Sequence, residues 1–201
     1  MPWNTTCSIY LSQGDTPILN ILQRQRHQVV EVNNQRPDYL YFHDSGESYW
    51  TKASWNKPVA YRNGTRVEPS QWFVIKASPA EKPFLYLLLN SSLLYWLWTV
   101  QTDCRHMTKG FVLSVHWPSD HEIDAGIVGE VRQAYAENTR LFEKRPGYKS
   151  PEITVHNFKP LLDEVDRVLA KHYCFTEEKL DFIINYDIKY RISHNREGQD
   201  K

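Results

Sequence analysis

The first half of the chain contains short runs of β-branched and aromatic residues, each bounded by Pro, Gly, Asn or Asp. Runs of this length and composition are typical of β-strands. The pair Asn63-Gly64 separates two of the runs, and Asn-Gly tolerates the positive φ angles of a type I′ turn. The pattern therefore predicts a β-hairpin at this pair. The predicted strands are residues 29–32, 39–42, 59–62 and 72–75, with 65–67 as the second arm of the hairpin.

From Pro83 onward the apolar residues recur at three- and four-residue steps, a spacing that predicts helices. The first of these segments is apolar on most sides, so we expect a helix buried in the core. The other segments carry a single apolar stripe, as helices at a protein surface do. The predicted helices are residues 84–100, a stripe from 127 to 142, a stripe from 161 to 169, and a short helix capped by Thr176.

Strands thus dominate the first half of the chain and helices the second. Segregation of this kind predicts an α+β fold with a β-hairpin in its strand-rich first half and a helical second half, and it argues against alternating α/β. The predicted division is an N-terminal segment without an assigned fold at 1–38, a β-rich region with the buried helix at 39–120, a helical C-terminal region at 121–193, and a disordered tail at 194–201.

The chain contains 24 Lys and Arg and 24 Asp and Glu, so its formal net charge is zero. Neutrality on average argues against a polyanionic partner. The charges are unevenly distributed, however, because residues 49–117 contain 8 basic and 3 acidic side chains, a difference of +5. The neutral average therefore conceals one basic block.

Within the basic block, cations alternate with planar rings around the predicted hairpin. Arg and Lys bind phosphates, Arg can read guanine edges, Asn can read adenine, and a two-stranded ribbon fits the major groove. An ordinary mixed surface, with rings packed under Arg stems, is the alternative interpretation. The candidate DNA-binding residues are Trp50, Lys52, Lys57, Arg62, Asn63 and Arg66 around the hairpin, and Arg105, His106 and Lys109 after the buried helix.

Motifs for catalysis, metals and cofactors are not found in the sequence. The three cysteines lie far apart, the eight histidines form no metal-binding pattern, and the glycines are scattered. This spacing predicts neither a zinc site nor a phosphate-cradling loop. We expect no catalytic residue, no metal and no cofactor in this chain. Without a visible secretory signal, and with the apolar block 84–100 short for a span of about 20 residues, we expect a cytoplasmic protein with no membrane contact.

Three segments resemble a known family. The run LLLNSSLLYW at 87–96 is followed by TDCRHMTK at 102–109, and this block is similar to one in the target-recognition region of adenine-specific DNA methyltransferases of restriction-modification systems, including those with a TaqI-like specificity domain. Residues 162–191 closely resemble the C-terminal end of the same enzymes, and YWTKAS at 49–54 resembles a strand upstream. The resemblance covers roughly residues 39–192.

The resemblance implies a module that reads bases around an adenine, while the adenine itself is flipped into a separate catalytic domain. That domain carries a glycine-rich loop for S-adenosylmethionine and an (Asn/Asp)-Pro-Pro-(Tyr/Phe) motif in the family. The present sequence contains neither, and no two prolines are adjacent. We therefore expect a DNA-binding, target-recognition chain that is inactive alone and binds double-stranded DNA. It would be the C-terminal part of a methyltransferase, as a fragment, as a split-gene subunit that works with a separate methyltransferase catalytic chain, or as a decayed gene product.

Two other hypotheses stay open at this point. In the first, the chain itself methylates or cuts DNA, although the family's catalytic motifs are missing. In the second, the chain is an interaction subunit that makes no DNA contact and completes the fold of a partner methyltransferase. The helical stripes between 127 and 169 would then pack against that partner.

Overall fold

A computed structural model of the chain describes residues 15–24, 27–28, 38–44, 52–118, 122–153, 158–186 and 188. Three predictions lie wholly outside these residues: the strand at 29–32, the tail at 194–201 and the position of Trp50. The helices and strands, in chain order, are α1 Asp15–Gln23, β1 His27–Gln28, β2 Asp38–His43, β3 Ala53–Ser54, β4 Ala60–Arg62, β5 Thr65–Val67, β6 Trp72–Ala77, α2 Lys82–Leu89, α3 Ser92–Gln101, α4 Lys109–Ser114, β7 His116–Trp117, α5 Ala125–Asn138, β8 Thr139–Arg145, β9 Tyr148–Ile153, α6 Lys159–His172 and α7 Glu177–Asn185.

All strand pairs of the described chain are antiparallel. A three-stranded sheet has the order β3-β2-β6, a four-stranded sheet has the order β5-β4-β9-β8, and β1 pairs with β7. The hairpin at Asn63-Gly64 is confirmed, because its two turn residues have φ angles of 48° and 80°, as a type I′ turn requires. The α+β class is confirmed as well, since antiparallel sheets fill the first half and helices prevail in the second.

The main core lies between the three-stranded sheet and the helices. Helices α2 and α3 are buried along nearly their whole length, and Trp96 at their centre has no exposed surface. The three-stranded sheet contributes buried residues such as Leu40 and Phe42, and α6 and α7 cover the helices from the other side. Helix α1, for which the sequence analysis assigned no element, adds Ile18 to this core.

The prediction of one helix over residues 84–100 is wrong. Helices α2 and α3 meet at a bend of 63°. Ser91 has extended backbone angles and caps α3, because its hydroxyl accepts a hydrogen bond from the Leu94 amide at 3.1 Å. The buried Asp166 carboxylate accepts a second bond, from the Ser92 amide, at 2.9 Å. Polar groups thus satisfy the amides of a new helix start inside an apolar block.

The predicted helical stripe from 127 to 142 is wrong in its last turn. Helix α5 ends at Asn138, and the following residues form β8, which pairs with β9. The Thr139 hydroxyl donates to the Tyr135 carbonyl at 2.6 Å and the Asn138 amide donates to the Ala134 carbonyl at 2.8 Å, so side chains satisfy the end of the helix. The backbone beyond Thr139 obtains its hydrogen bonds from β9, a partner that helical periodicity does not reveal.

The other predicted helices and strands that fall on the described residues are confirmed. The predicted strands at 39–42, 59–62 and 72–75 correspond to β2, β4 and β6, and the stripe at 161–169 lies in α6. Thr176 caps α7 and accepts a hydrogen bond from the Lys179 amide at 3.4 Å. No single helix in the described ranges has both the length and the apolar character needed to cross a membrane.

Candidate nucleic-acid interface

The strands of the four-stranded sheet carry six cationic side chains and only two carboxylates. None of the six forms an ion pair with a carboxylate of the described residues. Only the two cations of the hairpin were predicted from the sequence, because the helical stripe from 127 to 142 covers part of β8. The cations are Arg62, Arg66, Arg140, Lys144, Arg145 and Lys149, and the carboxylates are Glu143 and Glu152.

The register of the sheet arranges its side chains in rows that run across the strands. Tyr61 lies opposite Arg66 on one side and Lys149 on the other, and Lys149 lies opposite Glu143, which makes one row of two cations and one carboxylate. Arg62 lies opposite Tyr148, and Tyr148 lies opposite Arg145, which makes the neighbouring row. Since successive residues of a strand point to opposite faces, the two rows lie on opposite faces of the sheet. Both faces of the ribbon therefore carry positive charge.

Two arginines flank the ring of Tyr148. The guanidinium carbons of Arg62 and Arg145 lie 5.8 and 4.9 Å from the ring centroid. Burial acts to raise the Tyr148 pKa, but a hydrogen bond with Ser70 and the two guanidinium charges outweigh it, so the pKa lies below its ordinary value. The ring holds both cations at the end of the sheet that carries the hairpin turn.

The remaining hairpin candidates differ in their exposure and in their partners. Lys52 is only 1% exposed, so the predicted phosphate contact by this side chain is not available on the surface. Lys57 is half exposed but already pairs with Glu68, at 2.5 Å. Asn63 is exposed in the turn, and its backbone amide donates to the Gly147 carbonyl at 2.7 Å, which joins the hairpin turn to the β8–β9 turn.

The candidates after the buried helix lie on a separate, well-anchored loop. Arg105 and His106 are exposed, while Lys109 is half-buried at the start of α4. The imidazole Nδ1 of His106 lies 4.0 Å from the Asp44 carboxylate, and the Met107 amide donates to the Asp44 carbonyl at 2.8 Å. The loop is therefore attached to the residue that follows β2.

The same end of β2 also approaches the four-stranded sheet. His43 packs edge-on against Trp72, with ring centroids 5.1 Å apart. These two residues line a small cleft together with Lys144 and Glu152 of the four-stranded sheet. The end of β2 thus contacts the loop of Arg105 through Asp44, and lines a cleft with β8 and β9 through His43.

A cavity of about 660 Å³ lies where the four-stranded sheet faces helix α5. Tyr61 and Leu141 line it from the sheet, Arg132 and Tyr135 line it from α5, and residues 54–59 close it on a further side. Leu141 and Tyr61 belong to the face that carries Arg66 and Lys149. The cavity therefore opens beside one of the two basic rows.

Two cationic side chains lie against the ring of Trp55, which lines this cavity. The Lys82 Nζ lies 4.1 Å, and the Arg132 guanidinium carbon 4.7 Å, from its centroid. Lys82 is buried and donates to the Asp38 carboxylate at 2.9 Å; burial acts to raise the Asp38 pKa, but this bond and the Tyr39 amide hold the pKa below its ordinary value. Arg132 is exposed and has no carboxylate partner in the described chain. The charge of Arg132 is thus available to an anion.

Tyr86 contributes a buried polar group to the cavity wall. Its side chain has no exposed surface, and its hydroxyl has no hydrogen-bond partner among the described residues. Its ring packs edge-on against Trp55, with centroids 5.3 Å apart. Burial raises the pKa of the hydroxyl far above its ordinary value, more than the nearby Arg132 charge lowers it. The hydroxyl therefore stays protonated and can donate a hydrogen bond.

Comparisons with protein-family models, with curated proteins and with solved structures returned no match to this chain. The described residues also contain no group of three or more His, Cys, Asp and Glu side chains that could hold a metal ion. The features of the site are therefore its cations, its rings and the cavity beside them. The sequence contains one local sign of the hairpin that carries the other four cations: the turn pair Pro146-Gly147, which lies between the paired strands β8 and β9.

Proposed function

We propose that the protein binds double-stranded DNA through its four-stranded sheet and serves as the target-recognition part of a site-specific adenine-N6 DNA methyltransferase. One observation carries the DNA-binding part: β8 and β9 add four cations to the hairpin that the sequence already suggested as a DNA-binding element. A sheet with six cations and two carboxylates on its strands is suited to a polyanion.

In this proposal the polar side chains of the sheet have two kinds of role. Arg66 and Lys149, which share a row, contact phosphates and position the duplex. Arg62 and Asn63, at the tip of the hairpin, reach base edges in the major groove, which admits a two-stranded ribbon. Arg105 and His106 add a second contact from their loop.

The methyltransferase part of the proposal rests on the sequence resemblance. The family's glycine-rich cofactor loop and its proline-proline motif are missing from this sequence. We therefore assign these 201 residues no catalytic residue and no bound S-adenosylmethionine, and we propose that methyl transfer resides on a catalytic domain outside them. Methyl transfer by the purified chain alone would contradict this assignment.

The DNA-binding proposal is tested by fluorescence anisotropy with a labelled duplex at two salt concentrations. The variant Arg66→Ala/Lys149→Ala removes two cations of one row. If both contact phosphates, affinity falls about tenfold or more and the slope of log K against log salt decreases by about 1.8. The control, Arg167→Ala/Lys171→Ala, removes two exposed cations of α6 and should leave the salt slope unchanged. Equal effects of both variants would reject the sheet as the binding surface.

The contribution of the second loop is tested by combining Arg62→Ala with Arg105→Ala. If both the hairpin and the loop contact DNA, the double variant should bind more weakly than either single variant. If adding Arg105→Ala to Arg62→Ala leaves affinity unchanged, the loop makes no DNA contact.

A second candidate function is favoured by the outer face of the three-stranded sheet. Tyr39 and Val74 are 40% and 39% exposed, and with Tyr41 and Trp72 they line an open depression of about 250 Å³. An apolar face of this kind suits a partner chain, as in the hypothesis of an interaction subunit. Under that hypothesis, Tyr39→Lys/Val74→Lys should abolish reconstitution with an adenine-specific catalytic domain, and Arg66→Ala/Lys149→Ala should not.

A further inference from the structure

The cavity between the four-stranded sheet and α5 combines features that a nucleotide site requires. Its volume of about 660 Å³ falls within the range of about 300–1,000 Å³ that is typical of small-molecule sites. Four aromatic residues line it: Tyr61 and Tyr135 are partly exposed, whereas Tyr86 is buried and the ring of Trp55 already carries Lys82 and Arg132. Aromatic side chains offer planar surfaces on which a nucleobase can stack.

The charges at the cavity are suited to a planar ligand that carries an anion. Arg132 is exposed, lines the cavity and has no carboxylate partner in the described residues. The other cations near it already have partners, because Lys82 pairs with Asp38 and Lys57 pairs with Glu68. An anionic group in the cavity is therefore expected at Arg132, whose planar guanidinium favours phosphate.

The Tyr86 hydroxyl adds a specific donor to this arrangement. A buried hydroxyl without a partner destabilises the folded protein, and a ligand acceptor that reached it would recover part of that loss. Nucleobases carry ring nitrogens and carbonyl oxygens on their edges, which accept such bonds. Stacking surfaces, a donor and an unpaired cation thus converge on one cavity.

We propose that this cavity binds one nucleotide, with its base against the aromatic wall and its phosphate at Arg132. The nucleotide has two sources, either a free nucleotide or an unpaired nucleotide of a DNA strand. The cavity opens beside the row of Tyr61, Arg66 and Lys149, so a strand held by that row would pass close to it. The version with DNA rests on the proposed function, whereas the version with a free nucleotide does not.

The first experiment titrates the four nucleoside monophosphates into the full chain by isothermal titration calorimetry. Arg132→Gln and Tyr86→Phe should each weaken binding about tenfold, because each removes one strong interaction. Tyr86→Phe keeps the buried ring and removes only an unpartnered hydroxyl, so the thermal midpoint should not fall. The control Lys171→Gln removes an exposed cation of α6 and should leave the affinity unchanged.

The second experiment compares a fully paired duplex with a duplex that carries one bulged nucleotide. An unpaired base enters a pocket without the cost of unpairing, so the bulged duplex should bind about tenfold more tightly. Both cavity variants should remove this preference, while their affinity for the paired duplex changes less. Excess free nucleotide should compete for the same preference.

The outcomes distinguish a free nucleotide from a nucleotide of DNA, and they test this inference independently of the proposed function. Binding that depends on Arg132 and Tyr86 in the first experiment supports a free nucleotide, and the same dependence in the second experiment alone supports a DNA nucleotide. Binding of the paired duplex with neither signal keeps the proposed function and overturns this inference. Free-nucleotide binding without any duplex binding keeps this inference and overturns the proposed function.

Discussion

The two larger sheets of the molecule use the same antiparallel pairing for opposite purposes. The three-stranded sheet buries Leu40, Phe42 and Ile75 against the helices, and none of these residues has exposed surface. The four-stranded sheet places no residue among the buried members of that core, and Leu141 and Phe142 on its outer strand are 49% and 45% exposed. One sheet therefore holds the fold together, and the other is free to carry charge.

This difference has a physical basis in what each sheet faces. The three-stranded sheet lies against α2, which is apolar on nearly every side, so its inner positions must be apolar. The four-stranded sheet faces α5, on which only Ile127, Val128 and Val131 are buried. This sheet therefore lies against a helix that is mostly exposed, and its positions need not be apolar. Substitutions should consequently affect stability on the first sheet and binding on the second.

The comparison is tested most strongly by removing a matched phenylalanine from each sheet. Phe42→Ala should lower the free energy of unfolding by about 3–5 kcal/mol, because it leaves a cavity in a packed core. Phe142→Ala should change it by less than about 0.5 kcal/mol, because the ring is already half in water. Urea denaturation of the two variants gives both values, and similar losses would show that the two sheets do not differ in this way.

A smaller effect is expected from the amide that ties α2 to the three-stranded sheet. Asn90 is buried; its side chain accepts from the Ala53 amide at 3.0 Å and donates to the Ala53 carbonyl at 3.1 Å. Asn90→Ala should cost about 2–3 kcal/mol, since both backbone groups lose their partner. The matched control is Asn185→Ala, an exposed position on α7, with an expected loss below about 0.5 kcal/mol. Equal losses in urea denaturation would contradict a specific tie.

The smallest effect on stability, with a larger effect on binding, is expected at the β8–β9 turn. Gly147 has φ +72°, and a Cβ there would meet the Asn63 side-chain oxygen at 2.1 Å. Gly147→Ala should cost about 1–2 kcal/mol and should weaken duplex binding, because the turn aligns β9 with the hairpin. Gly129→Ala on α5 has open space around it and should not destabilise the protein. Unchanged duplex affinity in Gly147→Ala would separate the turn from binding.

Local sequence patterns predicted much of the fold. The hairpin needed only Asn63-Gly64, whose positive φ angles are a property of those two residues. The start of α7 needed only Thr176 and its hydroxyl. Where the structure departs from prediction, a distant partner decides. The bend after Asn90 depends on Ala53, which lies 37 positions away, and on Asp166, which lies 74 positions from Ser92.

The candidate site was less predictable for the same reason. Charge counting found Arg62 and Arg66, but it could not show that β9 would place Lys149 in the row of Arg66. Composition also treated Lys52 as a surface cation, whereas the folded chain covers it. Arg132 gained its place beside Trp55 only through packing, because 77 positions separate the two residues in the sequence.

The position of β8 has one more consequence. Within the described chain β8 forms an edge of its sheet, and it carries two exposed apolar side chains, Leu141 and Phe142. An edge strand of this kind is a template for another molecule's strand, and charged residues along it oppose such pairing. Arg140 precedes the two apolar residues and Glu143 and Lys144 follow them, so cations that we propose for DNA binding should also oppose such pairing. Neutralising them would lower the concentration at which the protein stays monodisperse.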